Sequence, residues 1–258
     1  MAVLEVCVET VASAIAAQRG GAARIELCSD LLEGGVTPGP GLLSVIRSRL
    51  AIDIYVMIRP RAGDFIYSND EFEVMRREMD EARRLGANGF VLGILTGRGG
   101  VDVERTRELV ELAAPLPVTF HRAIDMTPDP LAALEEVIAT GARRVLSSGG
   151  AQNVLNGCDV LGKMRAAAGD RIAVMAGGGV TLRTLRQVLV STGIREYHAS
   201  LRKAQPSPAG FHKQGIAMGE RREQEYLRYT THEEDVRAVA KLLESIADGQ
   251  PAFSAQQS

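Results

Sequence analysis

The chain has 258 residues, of which 45% are hydrophobic and 24% are charged, and its formal net charge is −2. This balance argues against the basic surfaces that bind nucleic acids or anionic membranes, and we expect neither partner. No apolar run approaches the ~20 residues of a membrane-spanning helix. The first residues, MAVLEVCVET, lack the basic stretch and apolar run of an export signal, so we expect a cytoplasmic protein.

Short apolar runs typical of buried strands alternate along the chain with segments of helical periodicity. We predict strands over residues 4–8, 24–28, 52–60, 89–95, 117–123, 143–148, 171–177 and 195–200. We predict helices over residues 11–18, 41–50, 71–85, 103–113, 130–139, 154–167, 182–190 and 233–247. Three connections, RGGAARI, LGANGF and TGARRV, repeat one turn in which a Gly ends the helix before the next strand. Eight such units predict an α/β fold, the single-domain (β/α)8 TIM barrel.

An open doubly wound sheet is the alternative fold, and it carries a Gly-rich dinucleotide loop after its first strand. The segment LEVCVETVAS has no glycine there, so we favour the barrel and expect no nucleotide cofactor. We predict a barrel domain over residues 1–248, with a long loop at about 201–229 that is rich in Pro, Gly and charge. This loop is either a lid over the barrel mouth or a loosely packed connection. Residues 249–258 are predicted to be a flexible tail.

Alternate residues of a parallel barrel strand face the barrel axis, while the apolar set faces the helices. In LEVCVE this parity turns Glu5, Cys7 and Glu9 inward. On the other strands it turns inward Glu26, Cys28, Tyr55, Met57, Arg59, Thr119, His121 and His198. Several ionisable side chains therefore converge near the carboxyl ends of the strands, where barrel enzymes place their sites.

Four of these inward residues are candidate catalytic residues, namely Glu26, Arg59, His121 and His198. Arg59 and Arg61 are suited to hold an oxyanion, because guanidinium groups bind such groups bidentately. Glu26 and His121 are suited to carry protons as acid and base, and His198 to orient or assist them. This hypothesis is an enzyme of unassigned chemistry, of isomerase, lyase or aldol type, acting on a small anionic or phosphorylated metabolite. The other interpretation is a buried salt-bridge cluster that holds the barrel together.

Two glycine clusters, in VLSSGGAQN and VMAGGGVT, follow the sixth and seventh predicted strands. Exposed backbone N–H groups before a helix form a seat for phosphate or carboxylate. The candidate anion-binding residues of these turns are Ser148, Gly149, Gly150, Gly177, Gly178 and Gly179. Glycine clusters also serve tight turns, so this signal is weak without a second observation.

Two of the three cysteines, Cys7 and Cys28, are predicted to point inward from adjacent strands. Neighbouring strands lie ~4.8 Å apart, so both thiols can reach one soft ion, and two thiolates suit Cu(I). A structural zinc ion would want four ligands, which no CxxC pair supplies here. In the other interpretation each buried cysteine packs as a small apolar side chain. The odd number of cysteines predicts reduced thiols, with Cys158 in a structural role.

Many segments, in order and with their spacing kept, make the sequence resemble the CutC copper-homeostasis proteins. They are LEVCVET, RIELCSDLLEGGVTP, VMIRPRAGDFIYSNDE, GANGFVLGIL, VTFHRAID, RVLSSGG, VMAGGGV and EYHAS. The resemblance implies a barrel fold, a cytoplasmic location, self-association as a homodimer or larger homo-oligomer, and a role in copper tolerance or trafficking. It also implies that Cys7 and Cys28 match the family's proposed Cu(I) cysteines.

Overall fold

The computed structural model describes residues 2–216, 218 and 221–247, so the predicted tail at 249–258 lies outside the described residues. Eight parallel strands close into a barrel in chain order. These strands are β1 (Val3–Val8), β2 (Arg24–Leu27), β3 (Asp53–Met57), β4 (Gly89–Leu92), β5 (Val118–Phe120), β6 (Arg144–Ser147), β7 (Ala173–Gly177) and β8 (Glu196–Ala199). The helices are α1 (Val11–Arg19), α2 (Pro40–Arg47), α3 (Asn69–Arg84), α4 (Val103–Ala113), α5 (Pro130–Ala139), α6 (Cys158–Ala168), α7 (Leu182–Thr192) and α8 (Glu233–Ala247). The prediction of a (β/α)8 TIM barrel is confirmed.

The connections follow from local sequence signals. Gly21, Gly86 and Gly141, in the three recurrent turns, have φ values of +93°, +90° and +84°. A side chain is strained in this left-handed region, which explains the glycine at each turn. At the other end of the unit, Thr10 caps α1 by accepting a hydrogen bond from the N–H of Ser13 at 3.1 Å.

Helix α6 begins later than the periodicity predicts. The prediction covers residues 154–167, whereas the helix starts at Cys158. Asn153 is the cause, because its Oδ1 accepts hydrogen bonds from the N–H groups of Leu155 and Asn156. This Asx-type turn satisfies the backbone in a non-helical conformation.

The fifth strand is shorter than predicted. Residues 117–123 were expected to be extended, but β5 ends at Phe120 and a 3-10 helix follows over Arg122–Met126. His121 caps this 3-10 helix, since its Nδ1 accepts a hydrogen bond from the N–H of Ala123 at 3.2 Å. The predicted inward histidine therefore stands directly at the carboxyl end of its strand.

The apolar core divides into two clusters, as the alternation along the strands requires. A large outer cluster between the barrel and its helices contains Val6, Ile25 and Phe120. A separate small cluster inside the barrel consists of Cys28, Tyr55, Met57 and Val91, with Leu31 packed against it. The predicted parity of these strands is therefore confirmed.

A buried ionic layer fills the barrel below the small cluster. Arg24 donates from Nε to Glu5 at 2.5 Å and from Nη2 to Glu196 at 2.7 Å. Arg144 also binds Glu196, and both guanidinium groups lie over the ring of Tyr55, at 5.2 and 5.6 Å from its centroid. The salt-bridge interpretation thus describes this layer. Its residues are not the four candidate catalytic residues that the sequence analysis named.

The segment predicted as one long loop begins and ends in a two-stranded antiparallel sheet, formed by β9 (Arg202–Pro206) and β10 (Leu227–Thr231). Its base is tied to the barrel, because Arg202 donates to Glu9 and to the Leu31 carbonyl, and the N–H of Thr231 donates to Ser13. The strands are short and polar, which is why apolar alternation did not reveal them. In the described part of the chain, no helix is long and apolar enough to cross a membrane.

Candidate metal centre

Two cavities open at the carboxyl ends of the barrel strands, and both have Glu26 and His198 in their walls. The first has a volume of about 350 Å³ and extends over the turn after β7. The second has a volume of about 260 Å³ and extends toward β3 and β5. The shared wall makes this end of the barrel the candidate site, in agreement with the predicted location.

Three side chains on adjacent strands form a potential metal-binding group. Cys7, Glu26 and His198 each offer one ligand atom, and these atoms lie within 4.8 Å of one another. Cys7 and Glu26 stand directly opposite each other on β1 and β2, and β8 completes the group because it pairs with β1 where the barrel closes. A sulfur, a carboxylate oxygen and an imidazole nitrogen therefore converge at the wall of the first cavity.

His198 is held and charged by acidic neighbours. Its Nδ1 lies 2.7 Å from Glu5 Oε1, and its Nε2 lies 3.8 Å from Glu26 Oε2. Burial alone would lower the pKa of His198, but Cys7, Glu26 and Glu5 outweigh burial and raise that pKa well above its usual range. Burial also opposes ionisation of Glu5, yet Arg24 and His198 lower the pKa of Glu5 to about 2. The imidazole is accordingly protonated at neutral pH and donates from Nδ1 to an ionised carboxylate.

Cys28 lies behind Glu26 rather than with the three clustered ligand atoms. Its thiol donates a hydrogen bond to Glu26 Oε2 at 3.3 Å. Burial, followed by the nearby carboxylate, raises the pKa of Cys28 well above its usual range, so Cys28 is a protonated thiol. Burial likewise raises the pKa of Glu26. Glu26 thus contacts Cys28 and also belongs to the group of ligand atoms that contains Cys7.

The donor set of this group fits Cu(I). Thiolate sulfur is a soft ligand that favours Cu(I), and imidazole binds copper as well. Three protein ligands also suit a catalytic zinc ion, whereas a structural zinc ion takes four. Zinc is therefore the competing metal against which copper has to be compared.

Arg59 lines the second cavity and is almost fully buried, with 5% of its surface exposed. Its Nη1 donates to the carbonyls of Glu33 and Gly35, and its Nη2 donates to the carbonyl of Gly63, at distances of 2.8–2.9 Å. Among the residues that the structure describes, no carboxylate forms an ion pair with Arg59, and its Nε has no hydrogen-bond partner.

His121 lines the same cavity and is also buried. Its Nδ1 accepts the N–H of Ala123, so in the neutral ring the proton lies on Nε2. Burial and the positive charge of Arg59 lower the pKa of His121 to about 3, which keeps the ring neutral. In the described part of the chain, Nε2 has no partner.

The first glycine cluster already holds an anion of the protein itself. The carboxylate of Asp125 accepts hydrogen bonds from the N–H groups of Ser148 and Gly150 and from the hydroxyls of Ser147 and Ser148. Gly149 donates its N–H to the hydroxyl of Ser147. The predicted anion seat at residues 148–150 is therefore occupied by Asp125.

The second glycine cluster borders the first cavity. Gly178 and Gly179 line that cavity together with Arg122 and Arg202. Gly177 lies deeper, where a Cβ atom would come within 2.4 Å of the Leu146 side chain. Of the two predicted anion seats, only this turn lines one of the two cavities described above.

Arg61 lies in neither cavity wall. Its guanidinium group forms ion pairs with Glu71 at 2.6 Å and with Asp64 at 3.0 Å, and it lies over the ring of Tyr67. These partners arrange the loop before α3. The side chains of Arg59 and Arg61 thus lie in different environments, although the two residues are only two positions apart in the sequence.

Comparison with known proteins gives the family. The model of the CutC family matches residues 2–203. The chain belongs to the CutC family. A CutC family protein from Chromobacterium violaceum is 46% identical over 242 residues, covering 94% of this chain and 98% of the relative. The human copper homeostasis protein cutC homolog is 47% identical over 216 residues, covering 84% of this chain and 79% of the relative.

A solved structure agrees with this assignment. A putative copper homeostasis protein CutC from Streptococcus agalactiae has a TM-score of 0.74 and 30% identity, over 78% of this chain and 99% of that chain. The CutC match contains the whole barrel from β1 to β8, and therefore all residues of both cavities that belong to the barrel strands. Strand β10 and helix α8 lie beyond it.

Several important residues of this CutC chain escaped the sequence reasoning. Arg24, Arg144 and Glu196 share the inward parity of the residues singled out, and this signal was sufficient to find them. Nothing in the local sequence shows that Asp125 reaches the turn after β6. Arg202 was hidden in the segment treated as a loop.

Proposed function

We propose that this CutC-family chain binds Cu(I) at the mouth of its barrel and serves copper homeostasis in the cytoplasm. The ligands are the Cys7 thiolate and the His198 imidazole. The observation that carries the proposal is the convergence of Cys7, Glu26 and His198 within 4.8 Å. The mouse and human relatives named copper homeostasis protein cutC homologs support copper as the cargo.

Binding requires the exchange of protons for the ion, because only a thiolate and a neutral imidazole are good ligands. His198 gives up the proton on Nε2 and keeps the proton on Nδ1. The Nδ1–H group still donates to Glu5, so the ring stays oriented. Glu26 lies 3.8 Å from Nε2 and has a raised pKa, so it is placed to accept that proton. From Glu26 the proton leaves to solvent through the first cavity, so one positive charge leaves the site as the ion enters it.

Cys28 takes a secondary part in this proposal. Its thiol is protonated and donates to Glu26, so it joins as a ligand only after copper displaces its proton. The replacement Cys28→Ser is therefore expected to weaken Cu(I) binding less than Cys7→Ser.

The cellular setting and assembly are parts of the same proposal. All three cysteines are free and buried, which suits a reducing compartment such as the cytoplasm. The family resemblance supports a homodimer or larger homo-oligomer. Light scattering after size-exclusion chromatography measures the mass of the assembly, and therefore the number of subunits.

The experiment is an anaerobic Cu(I) competition titration against a chromogenic chelator. Wild type is expected to bind one ion tightly, and Cys7→Ser to bind it more weakly by over about 100-fold, beyond the 10–100-fold effect of an outer-shell change. Cys158→Ser is the matched control, because this buried thiol donates to the Val154 carbonyl and belongs to neither cavity. Equal affinities for wild type and Cys7→Ser would refute the proposal. Preference for Zn²⁺ over Cu(I) would refute the choice of metal.

A further inference from the structure

Arg59 is a buried cation whose counterion is missing from the described residues. The other charged residues in the wall of the second cavity have partners. Asp125 binds Arg122 at 2.8 Å, Glu33 binds Arg221 at 3.0 Å, and Glu26 lies 3.8 Å from His198. Three backbone carbonyls hold the Arg59 guanidinium but do not neutralise it. Because an unpaired buried charge is costly, an anion in this cavity would stabilise Arg59.

His121 supplies a second unused donor beside this charge. Its Nε2 carries the proton because Nδ1 accepts the N–H of Ala123, and Nε2 has no partner among the described residues. The ring of Phe65 bridges the two residues, with the Arg59 guanidinium 5.0 Å from its centroid and the His121 ring 4.9 Å away. A cationic side chain and a neutral N–H donor therefore pack against one aromatic ring in the lining of this cavity.

The rest of the lining restricts the ligand to a small and partly apolar molecule. Met57, Phe65, Met126 and Leu146 provide apolar surface around the two donors. The volume of about 260 Å³ is below the range of about 300–1,000 Å³ typical of sites for drug-sized ligands. A phosphate dianion would find one cation that lacks a carboxylate partner in the described lining, together with much apolar surface, whereas a short-chain carboxylate matches both features.

We propose that this cavity binds a small organic monocarboxylate, with Arg59 and His121 donating to its carboxylate and the apolar wall packing against its carbon chain. This site is additional to the copper site and uses neither cysteine. The two sites meet at Glu26 and His198, so the carboxylate is held next to the proposed metal position.

The test measures binding of propionate, butyrate and hexanoate by calorimetry and by saturation-transfer NMR, on the full chain with a copper chelator present. Wild type is expected to bind at least one of these acids and not butyramide, the uncharged analogue of butyrate. Arg59→Gln and His121→Gln are each expected to weaken binding by at least about tenfold, the equivalent of a lost hydrogen bond to a charged group. Arg61→Gln is the matched control and is expected to bind as wild type does.

Circular dichroism and thermal unfolding establish that each variant is folded. If Arg59→Gln does not fold, His121→Gln alone decides, because its side chain accepts only one backbone hydrogen bond. Failure of wild type to bind any of the three acids, or equal affinities in wild type and His121→Gln, would overturn the proposal. Binding of inorganic phosphate in preference to the acids would overturn it too. Cys7→Ser is expected to keep carboxylate binding, so this site and the copper site can fail separately.

Discussion

At the scale of single residues, His198 connects the features of the site. Its Nδ1 is bound to Glu5, its Nε2 faces Glu26 and Cys7, and its ring lies in the wall of both cavities. Because its pKa is raised, His198 carries a proton at neutral pH that an arriving metal ion must displace. The proposed affinity for copper is therefore expected to depend on pH.

Cu(I) affinity is expected to rise between about pH 6 and pH 9, by up to about tenfold per pH unit for each proton released. The sign follows from the raised pKa values of His198 and Cys28, since at lower pH more of each group is protonated and the ion must displace those protons. Competition titrations at several pH values measure the slope. His198→Gln removes one of these protons and should give a shallower slope, while an identical slope would contradict the role of His198.

The sequence was sufficient to predict which side chains face the barrel interior, but not which of them contact one another. Alternation along each strand predicted that Cys7, Glu26, Arg59 and His121 converge at one end of the barrel, and the structure has them there. The pairing of Cys7 with His198 depends on the closure of β1 on β8, which joins residues almost 200 positions apart. No local pattern carries that information.

At the scale of elements, the 3-10 helix after β5 organises the turn after β6. Asp125 of this helix binds the backbone of Ser148 and Gly150 and two hydroxyl groups. One carboxylate thereby fixes two consecutive barrel connections. The glycines of that turn serve to let backbone N–H groups close around Asp125.

Asp125→Asn is expected to lower the free energy of unfolding by about 1–3 kcal/mol, because buried donors lose an ionic acceptor. Urea denaturation measures the change. Asp64→Asn is the control, since Asp64 is largely exposed and binds mainly Arg61 and a local backbone N–H. Equal effects of the two replacements would show that Asp125 does not hold the turn.

Element boundaries show where sequence patterns fail. Helix α3 was predicted from residue 71, but it starts at Asn69 because Ser68 and Glu71 form a capping box that apolar periodicity does not detect. Strands β9 and β10 were missed because their side chains are polar and largely exposed. Apolar periodicity identifies elements by the face that they bury, and it is silent where hydrogen bonds or polar contacts set the boundary.

At the scale of the whole molecule, the ionic layer joins distant parts of the barrel. Arg24 on β2 binds Glu5 on β1 and Glu196 on β8, so it spans the closure of the barrel. Arg24→Met is expected to lower the free energy of unfolding by about 3–5 kcal/mol, because the buried Glu5 and the partly buried Glu196 lose a common partner.

Chemical denaturation tests this prediction, with Arg171→Met as the control. Arg171 binds Glu135 in an exposed ion pair, for which a change of at most about 1 kcal/mol is expected. A similar decrease in the free energy of unfolding for Arg24→Met and Arg171→Met would show that the buried layer contributes no more to stability than an exposed ion pair. Three of its four residues, Glu5, Arg24 and Glu196, stand two positions before Cys7, Glu26 and His198 on the same strands, directly beneath the candidate site.

The ionic layer also bears on where a ligand can enter and leave the barrel. Below Cys7 and His198 the ion pairs of Arg24 and Arg144 occupy the barrel interior, while both described cavities open at the carboxyl ends of the strands. We therefore expect a bound ion to enter and leave by this one opening. For the proposed copper function, delivery and removal of the ion would therefore use one entrance, and an acceptor of copper is expected to approach the same face as its donor.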